Sequence, residues 1–197
     1  MLKRLFDLFS SFLGLLLLGP LLVLIAFWIK IGSKGPIFFR QERVGLNGRI
    51  FRIHKFRSMR VDSESSGRLT VGADSRITKE GAVLRKLKLD ELPQLIDVLI
   101  GNMSLVGPRP EVPEFIDCYP EEVRARILSV KPGITDRASI EMIDENEILS
   151  KYDDAKKAYI EVILPKKQYY YLDYVGNHSV LGDVKIILDT VKKIVKR

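Results

Sequence analysis

Two residue types are nearly missing from this 197-residue chain, and each shortage closes a class of function. Cys118 is the only cysteine, which rules out a disulfide framework and a cysteine metal site and suits a reducing cytoplasm. Histidine occurs only at His54 and His178, which excludes a histidine-rich zinc centre. A divalent metal would have to be held by oxygens, which favours Mg²⁺. Internal repeats and low-complexity tracts are also absent. Charged residues make up 29% of the chain, so it is neither disordered nor a polytopic membrane protein, and its length suits one soluble domain with an appendage. The net charge of +7 points to an anionic partner: nucleic acid, a phospholipid surface or a phosphorylated substrate.

Charge itself is missing from Leu8 to Ile29, a run dominated by Leu, Phe, Ile and Val. As a helix the run is about 33 Å long, enough to cross a hydrocarbon core. A secretory signal fits poorly, because bulky Trp28-Ile29-Lys30 stands where a small-residue cleavage site belongs. Two geometries remain open: a span, or a re-entrant segment bending at Gly19-Pro20, where proline deletes a backbone hydrogen bond. Lys3 and Arg4 before the run, and Lys30, Lys34 and Arg40 after it, give no charge asymmetry to orient a span.

Beyond Gly35-Pro36 the pattern changes. Ile37–Gln41 and Ile50–His54 read as two strands joined around Asn47-Gly48, a tight-turn dipeptide. Val61 to Lys79 reads as a polar loop, and Glu80 to about Leu89 as a helix. From Leu92, the residues Leu92, Leu95, Ile96 and Leu99 fall at helical spacing until Gly101-Asn102. This predicts a helix of about three turns with Asp90 as its cap and Glu91 in its first turn, both at the positive end of the dipole. On sequence alone the pair reads first as a cap with a first-turn acid, and only second as a reactive carboxylate dyad among the cations Arg85, Lys86 and Lys88.

Two loops follow. Leu105–Pro110 clamps Arg109 between prolines, with Gly107 allowing close backbone approach, and a rigid arginine fork suits a diphosphate. Val130–Arg137 holds Gly133, whose neighbourhood could offer backbone N–H groups to a phosphate or base. The rest is helical in pattern: Asp153–Leu164 ends at Pro165, and Lys166–Tyr174 follows. A stripe of Leu181, Val184, Leu188, Val191 and Val195 comes next, with Lys185, Lys192, Lys193, Lys196 and Arg197 largely off it. Such a stripe suits an anionic membrane or the protein's own core.

Taken together, these features resemble a known family. An apolar segment broken at proline precedes Lys55-Phe56-Arg57-Ser58-Met59, then Leu89-Asp90-Glu91-Leu92-Pro93-Gln94, then Gly101 to Pro110, then Lys131-Pro132-Gly133-Ile134-Thr135. In that order they look like the bacterial sugar transferases, the monotopic phosphoglycosyl transferases that begin glycan assembly on polyprenol (undecaprenyl) phosphate. The resemblance is detailed to about Thr135 and looser beyond. It implies that Asp90 attacks the β-phosphate of a UDP-sugar, expels UMP and holds the phosphosugar until polyprenol phosphate takes it. It further implies Asp90 and Glu91 as catalytic and Mg²⁺-binding residues, and Lys55, Arg57, Arg85, Arg109, Gly133 and Arg137 as candidates for substrate binding. The partners implied are UDP-sugar, polyprenol phosphate and membrane rather than nucleic acid.

The implied architecture is α+β and mostly helical. Residues 1–34 form a re-entrant membrane helix bent at Gly19 and Pro20, and residues 35–197 a catalytic domain on the cytoplasmic face of the bacterial inner membrane. A short β-hairpin and several amphipathic helices at the membrane interface complete it. Relatives often continue the Pro-Gly-Ile-Thr turn with glycine and an Ala-Gln or Trp-Gln segment; here Asp136-Arg137-Ala138-Ser139-Ile140 stands instead, so the sugar's identity does not carry over. Two other readings use the same residues: a membrane-bound phosphatase with an aspartyl-phosphate, and a basic membrane adaptor with a purely structural Asp-Glu pair.

Overall fold

The computed structural model describes residues 1–61, 63, 69–72 and 74–196. It is α+β and mostly helical, with short two-stranded sheets. Helix α1 runs from Leu2 to Gly32 as one 31-residue element with Pro20 inside it, about 46 Å by helical rise. Its outer face is bare: Leu5, Phe9, Phe12, Leu16, Leu17, Leu24 and Phe27 are exposed. Its inner face packs along the domain from one end to the other. Phe6, Leu15 and Leu18 join a core with Leu95, Val98 and Met103, while Leu22, Ile25, Ala26 and Ile29 join Phe56, Leu84 and Leu89.

Strands β1 (Phe38–Phe39), β2 (Glu42–Val44), β3 (Ile50–Arg52) and β4 (Lys55–Phe56) form the expected hairpin in two pieces. β2 pairs antiparallel with β3, and β1 with β4. The turn works because Asn47 and Gly48 both take left-handed backbone, φ 54° and 79°. Helix α2 (Lys79–Lys86) is capped by Thr78, whose hydroxyl accepts from Gly81 N–H at 3.0 Å. The described part of the 61–79 segment is largely loop; residues 62, 64–68 and 73 of that expectation lie outside the described residues.

The central helix is shorter than its periodicity suggests. Lys88 turns left-handed, φ 56°, and opens a 3₁₀ turn at Leu89–Glu91; α3 proper is Gln94–Ile100. Leu92 adopts helical dihedrals despite preceding Pro93. Asp90 therefore lies inside the 3₁₀ turn and makes no capping bond, so the cap assignment fails. After α3, β5 (Ser104–Val106) leads through α4 (Pro113–Ile116) and α5 (Glu121–Ile127) to β6 (Gly133–Thr135), which pairs parallel with β5. A Cβ on Gly133 would collide with the Gly107 nitrogen, and one on Gly107 would lie 2.5 Å from the Lys131 carbonyl oxygen. The two loops named from sequence are thus pressed backbone to backbone.

Helices α6 (Arg137–Glu141), α7 (Glu145–Leu149), α8 (Ala155–Ala158), α9 (Leu164–Asn177) and α10 (Val180–Val195) complete the domain. Pro165 does not end the helical path: a π-helical stretch at Tyr159–Ile163 carries α8 into α9, with the proline in the first turn of α9. The α10 stripe faces outward, with Leu181 84% and Val195 80% exposed, so the core-packing alternative is overturned. Asp183, Ile186, Ile187 and Thr190 form the inward face instead. Arg197 lies outside the described residues.

A buried polar knot ties the beginning of α1 to α10. The Lys3 ammonium donates to Asp183 at 2.5 Å, and the single Tyr174 O–H is shared between the same carboxylate at 2.9 Å and the Val106 carbonyl at 2.8 Å. Asp7 accepts from the Ser104 hydroxyl at 2.9 Å and the Leu105 N–H at 3.2 Å. Asp183 and Asp7 are almost wholly buried, so these bonds replace the water both carboxylates gave up.

Candidate active site

The 3₁₀ turn presents Asp90 and Glu91 side by side, 2% and 7% exposed. Buried carboxylates need compensation, and it comes from distant segments. Lys55, on β4, donates at 3.0 Å to Glu91 Oε1 and forms an ion pair with Asp90 Oδ2 at 3.1 Å. Arg109, between its two prolines, forks onto Glu91 with contacts of 2.5 Å and 3.2 Å. Both Glu91 oxygens are thereby engaged. On Asp90 the second oxygen, Oδ1, is buried and has no hydrogen-bond partner among the described residues. The cations keep an open side: Lys55 is 18% and Arg109 27% exposed, so an anion reaches the pair over positive charge.

The charges move one another. Burial pushes the Glu91 carboxyl up, but Arg109, Lys55 and Lys88 outweigh it and hold Glu91 well below the usual carboxylate range. Glu91 in turn holds the Arg109 guanidinium well above its ordinary value against burial. Lys88 is drawn up by Glu91, yet burial with Arg109 and Lys55 leaves it below an ordinary lysine.

The sequence candidates divide accordingly. Lys55, Asp90, Glu91 and Arg109 come together. Arg57 turns away: it donates to the Pro36 carbonyl at 2.6 Å and the Ser33 carbonyl at 2.9 Å, fixing the exit of α1. Arg85 donates to Thr70 at 2.9 Å. Arg137 pairs with Glu141 at 2.6 Å and Asp189 at 3.3 Å on the outer surface. The Gly133 N–H is taken by the Pro108 carbonyl at 3.0 Å, so it braces the arginine loop rather than pointing to a ligand. In the departing segment, Asp136 caps α6 through Ser139 N–H at 2.9 Å and is buried, which raises its carboxyl.

Supports that sequence reading missed lie behind the site. Asp97, fully buried on α3, accepts the His54 N–H and pairs with the His54 ring, both at 2.8 Å, which pins the residue before Lys55. Glu111, directly after the Pro-Arg-Pro run, accepts from Tyr159 at 2.8 Å; Lys167 donates to Tyr159 at 3.1 Å and pairs with Glu145 at 2.8 Å. Arg43 donates to the Pro110 carbonyl at 2.8 Å. Only the run Pro110-Glu111 and the π-helical tyrosine could have hinted at this brace, because its members are scattered along the chain. Lys167→Met leaves the Tyr159–Glu111 hydrogen bond in place but removes the cation that pairs with Glu111 at 3.7 Å and Glu145 at 2.8 Å, and is expected to cost about 3 kcal/mol in urea unfolding.

Among the described residues no group of three or more His, Cys, Asp or Glu side chains could hold a metal alone. The unpartnered Oδ1 of Asp90 is the kind of oxygen that suits Mg²⁺, which is commonly held by one or two carboxylates together with substrate phosphates.

Comparison with known proteins adds a family and named relatives. The family model described as bacterial sugar transferase matches residues 1–197. The undecaprenyl-phosphate glucose phosphotransferase of Komagataeibacter xylinus is 41% identical over 97% of this chain and 35% of its own length. The UDP-glucose:undecaprenyl-phosphate glucose-1-phosphate transferase of Escherichia coli (strain K12) is 39% identical over 98% of this chain and 40% of its own. An uncharacterized sugar transferase, EpsL, of Bacillus subtilis (strain 168) is 42% identical over 98% of this chain and 87% of its own. The chain therefore spans well under half of the first two relatives and most of the third.

Proposed function

The chain belongs to the bacterial sugar transferase family, and on that premise we propose that it moves a phosphosugar from a UDP-sugar to polyprenol phosphate, with Asp90 as the covalent nucleophile. The observation that carries this reading is the asymmetry of the dyad. Glu91 is saturated by Arg109 and Lys55, whereas Asp90 has one oxygen held by Lys55 and the other unpartnered.

In the first step an Asp90 oxygen attacks the β-phosphorus of the UDP-sugar. The bond from that phosphorus to the bridging oxygen breaks, and UMP leaves with the electron pair. In the second, a phosphate oxygen of polyprenol phosphate attacks the same phosphorus and the acyl-phosphate bond breaks. Polyprenol-diphosphate-sugar leaves and the Asp90 carboxylate is restored. Lys55 and Arg109 offset the repulsion between carboxylate and diphosphate. Mg²⁺, which the open Oδ1 of Asp90 would hold, would neutralise further charge when bound; both oxygens of Glu91 are already taken by Arg109 and Lys55. A carboxyl held as low as that of Glu91 is a weak base at neutral pH, so Glu91 anchors Arg109 and Lys55 rather than accepting a proton.

The membrane reading rests on α1. Lys3, Arg4 and Asp7 at one end, and Ile29, Gly32 and Ser33 at the other, all contact the same domain. A helix crossing the bilayer would have to surrender one set. We place α1 in the cytoplasmic leaflet of the bacterial inner membrane, with its bare face and the α10 stripe toward lipid. In a Cys118→Ser background, single cysteines at Leu2 and Lys34 are expected to react with a membrane-impermeant maleimide only after the cells are opened. Reaction of either one in intact cells means that α1 spans.

The activity is tested with purified protein, Mg²⁺, polyprenol phosphate and a panel of UDP-sugars. One donor is expected to release UMP and place its phosphosugar on lipid. Phosphosugar appearing in water identifies a phosphatase, and no UMP from any donor leaves a membrane adaptor.

A further inference from the structure

Lys131, which opens the Lys-Pro-Gly-Ile-Thr motif, does not face the carboxylate pair. It turns toward the far end of α3, where Gly101 closes that helix in the left-handed region, φ 93°. A Cβ placed on Gly101 would have the Arg4 Nη2 at 3.4 Å and the Lys131 Nζ at 3.6 Å as its neighbours. Two cations thus converge over one bare glycine. We propose that Arg4 and Lys131 form a receptor for the phosphate of an anionic phospholipid headgroup at the rim of α1.

Charge and donor inventories agree. Among the described residues neither Arg4 nor Lys131 forms an ion pair with a carboxylate. Asp7, the acid whose charge acts on Lys131, is committed to Ser104, Leu105 and, at 3.9 Å, Lys3. Lys3 is itself committed to Asp183. Arg4 donates to the Val98 carbonyl at 2.7 Å and the Leu99 carbonyl at 3.1 Å, which fixes the guanidinium while leaving further N–H groups uncommitted. Burial, and then the neighbouring Arg4 charge, lower the Lys131 ammonium, as expected where positive charge lacks a counter-ion. A headgroup phosphate supplies that counter-ion.

The surroundings select lipid as its source. Leu2, Leu5 and Ile100, 70%, 58% and 61% exposed, continue the bare apolar face of α1 up to these cations. Apolar side chains below and basic side chains above are the order of groups across a membrane interface. The inference rests on the membrane reading of α1 and not on the phosphotransfer chemistry.

The test uses the full chain in neutral detergent, with bound lipid counted by native mass spectrometry. Dihexanoyl phosphatidylglycerol is expected to give one retained adduct, weakened about fivefold in Lys131→Gln and roughly thirtyfold in Arg4→Gln/Lys131→Gln. Lys192→Gln/Lys193→Gln on α10 is expected to leave that adduct at wild-type occupancy. Arg4 also caps α3, so the deciding variant is Lys131→Gln, because the Lys131 side chain makes no hydrogen bond or ion pair among the described residues; its thermal melt should match wild type. Wild-type occupancy in Lys131→Gln overturns the site. So does equal loss in the α10 pair, which means diffuse attraction, or equal binding of dihexanoyl phosphatidylcholine. Displacement of the lipid by equimolar inorganic phosphate overturns the choice of lipid. Loss of UMP release with the adduct retained counts against the transferase and not against this site.

Discussion

Asp90→Asn is expected to abolish UMP release, by at least about 10³-fold, because removing a nucleophile removes the step rather than slowing it. The amide occupies the same space and can still face Lys55, so the protein should fold and bind donor. Two readouts separate chemistry from binding. Radiolabel from a UDP-sugar carrying ³²P at the β-phosphate should be trapped on wild-type protein when polyprenol phosphate is omitted, and should be missing from Asp90→Asn. Donor affinity of the variant should stay within a few-fold of wild type. Near-normal turnover by Asp90→Asn would remove Asp90 from the role of nucleophile.

The second large effect is expected at Arg109. Arg109→Met leaves Glu91 buried with Lys55 as its only close ion-pair partner among the described residues. Breaking such a pair costs about 3 kcal/mol of stability, and the lost charge costs about 10²-fold or more in turnover. Glu91→Gln/Arg109→Met should lose less stability than the two single variants together, by about 1 kcal/mol or more in a double-mutant cycle, while turnover stays low. The pH dependence carries a definite sign. Glu91 is held below its ordinary value of 4.5, so the stability it contributes is fully present above that pH and is lost as the pH falls through the lower folded value. Wild type should therefore lose stability on acidification more steeply than Glu91→Gln. Asp136 acts with the opposite sign, since burial raises its carboxyl and ionising it costs stability as pH rises. Comparing the two proteins in an Asp136→Asn background isolates Glu91.

Local features of this molecule were readable from sequence. Asn47-Gly48 announced the hairpin because the turn demands left-handed backbone at those two residues. The apolar period of α10 announced a helix, but periodicity does not say whether a stripe meets core or lipid, and the stripe is bare. The site was legible only in part. Its carboxylates are neighbours in the chain, and their adjacency drew attention to Arg85 and Lys86, whereas the cations that reach them are Lys55 from β4 and Arg109 from beyond α3. That choice is made by tertiary packing, including the close contact of Gly107 with Gly133 and the clamp of Asp97 on His54. The cap assignment for Asp90 failed for a local reason: the left-handed turn at Lys88 starts helical backbone earlier than the apolar period does.

The knot joining Lys3 to Asp183 also sets a schedule for making this protein. Lys3 leaves the ribosome 180 residues ahead of its partner, an interval of roughly 10–40 s at ordinary synthesis rates. For most of that time α1 is complete while its acceptor on α10 does not exist, and its apolar face needs cover from a bilayer or a chaperone. Asp183 joins Lys3 and Tyr174 only when α10 arrives, so the final seating of α1 is a late event in biogenesis. Nascent chains stalled before Asp183 should stay bound to membrane yet remain sensitive to protease across β5 and α9.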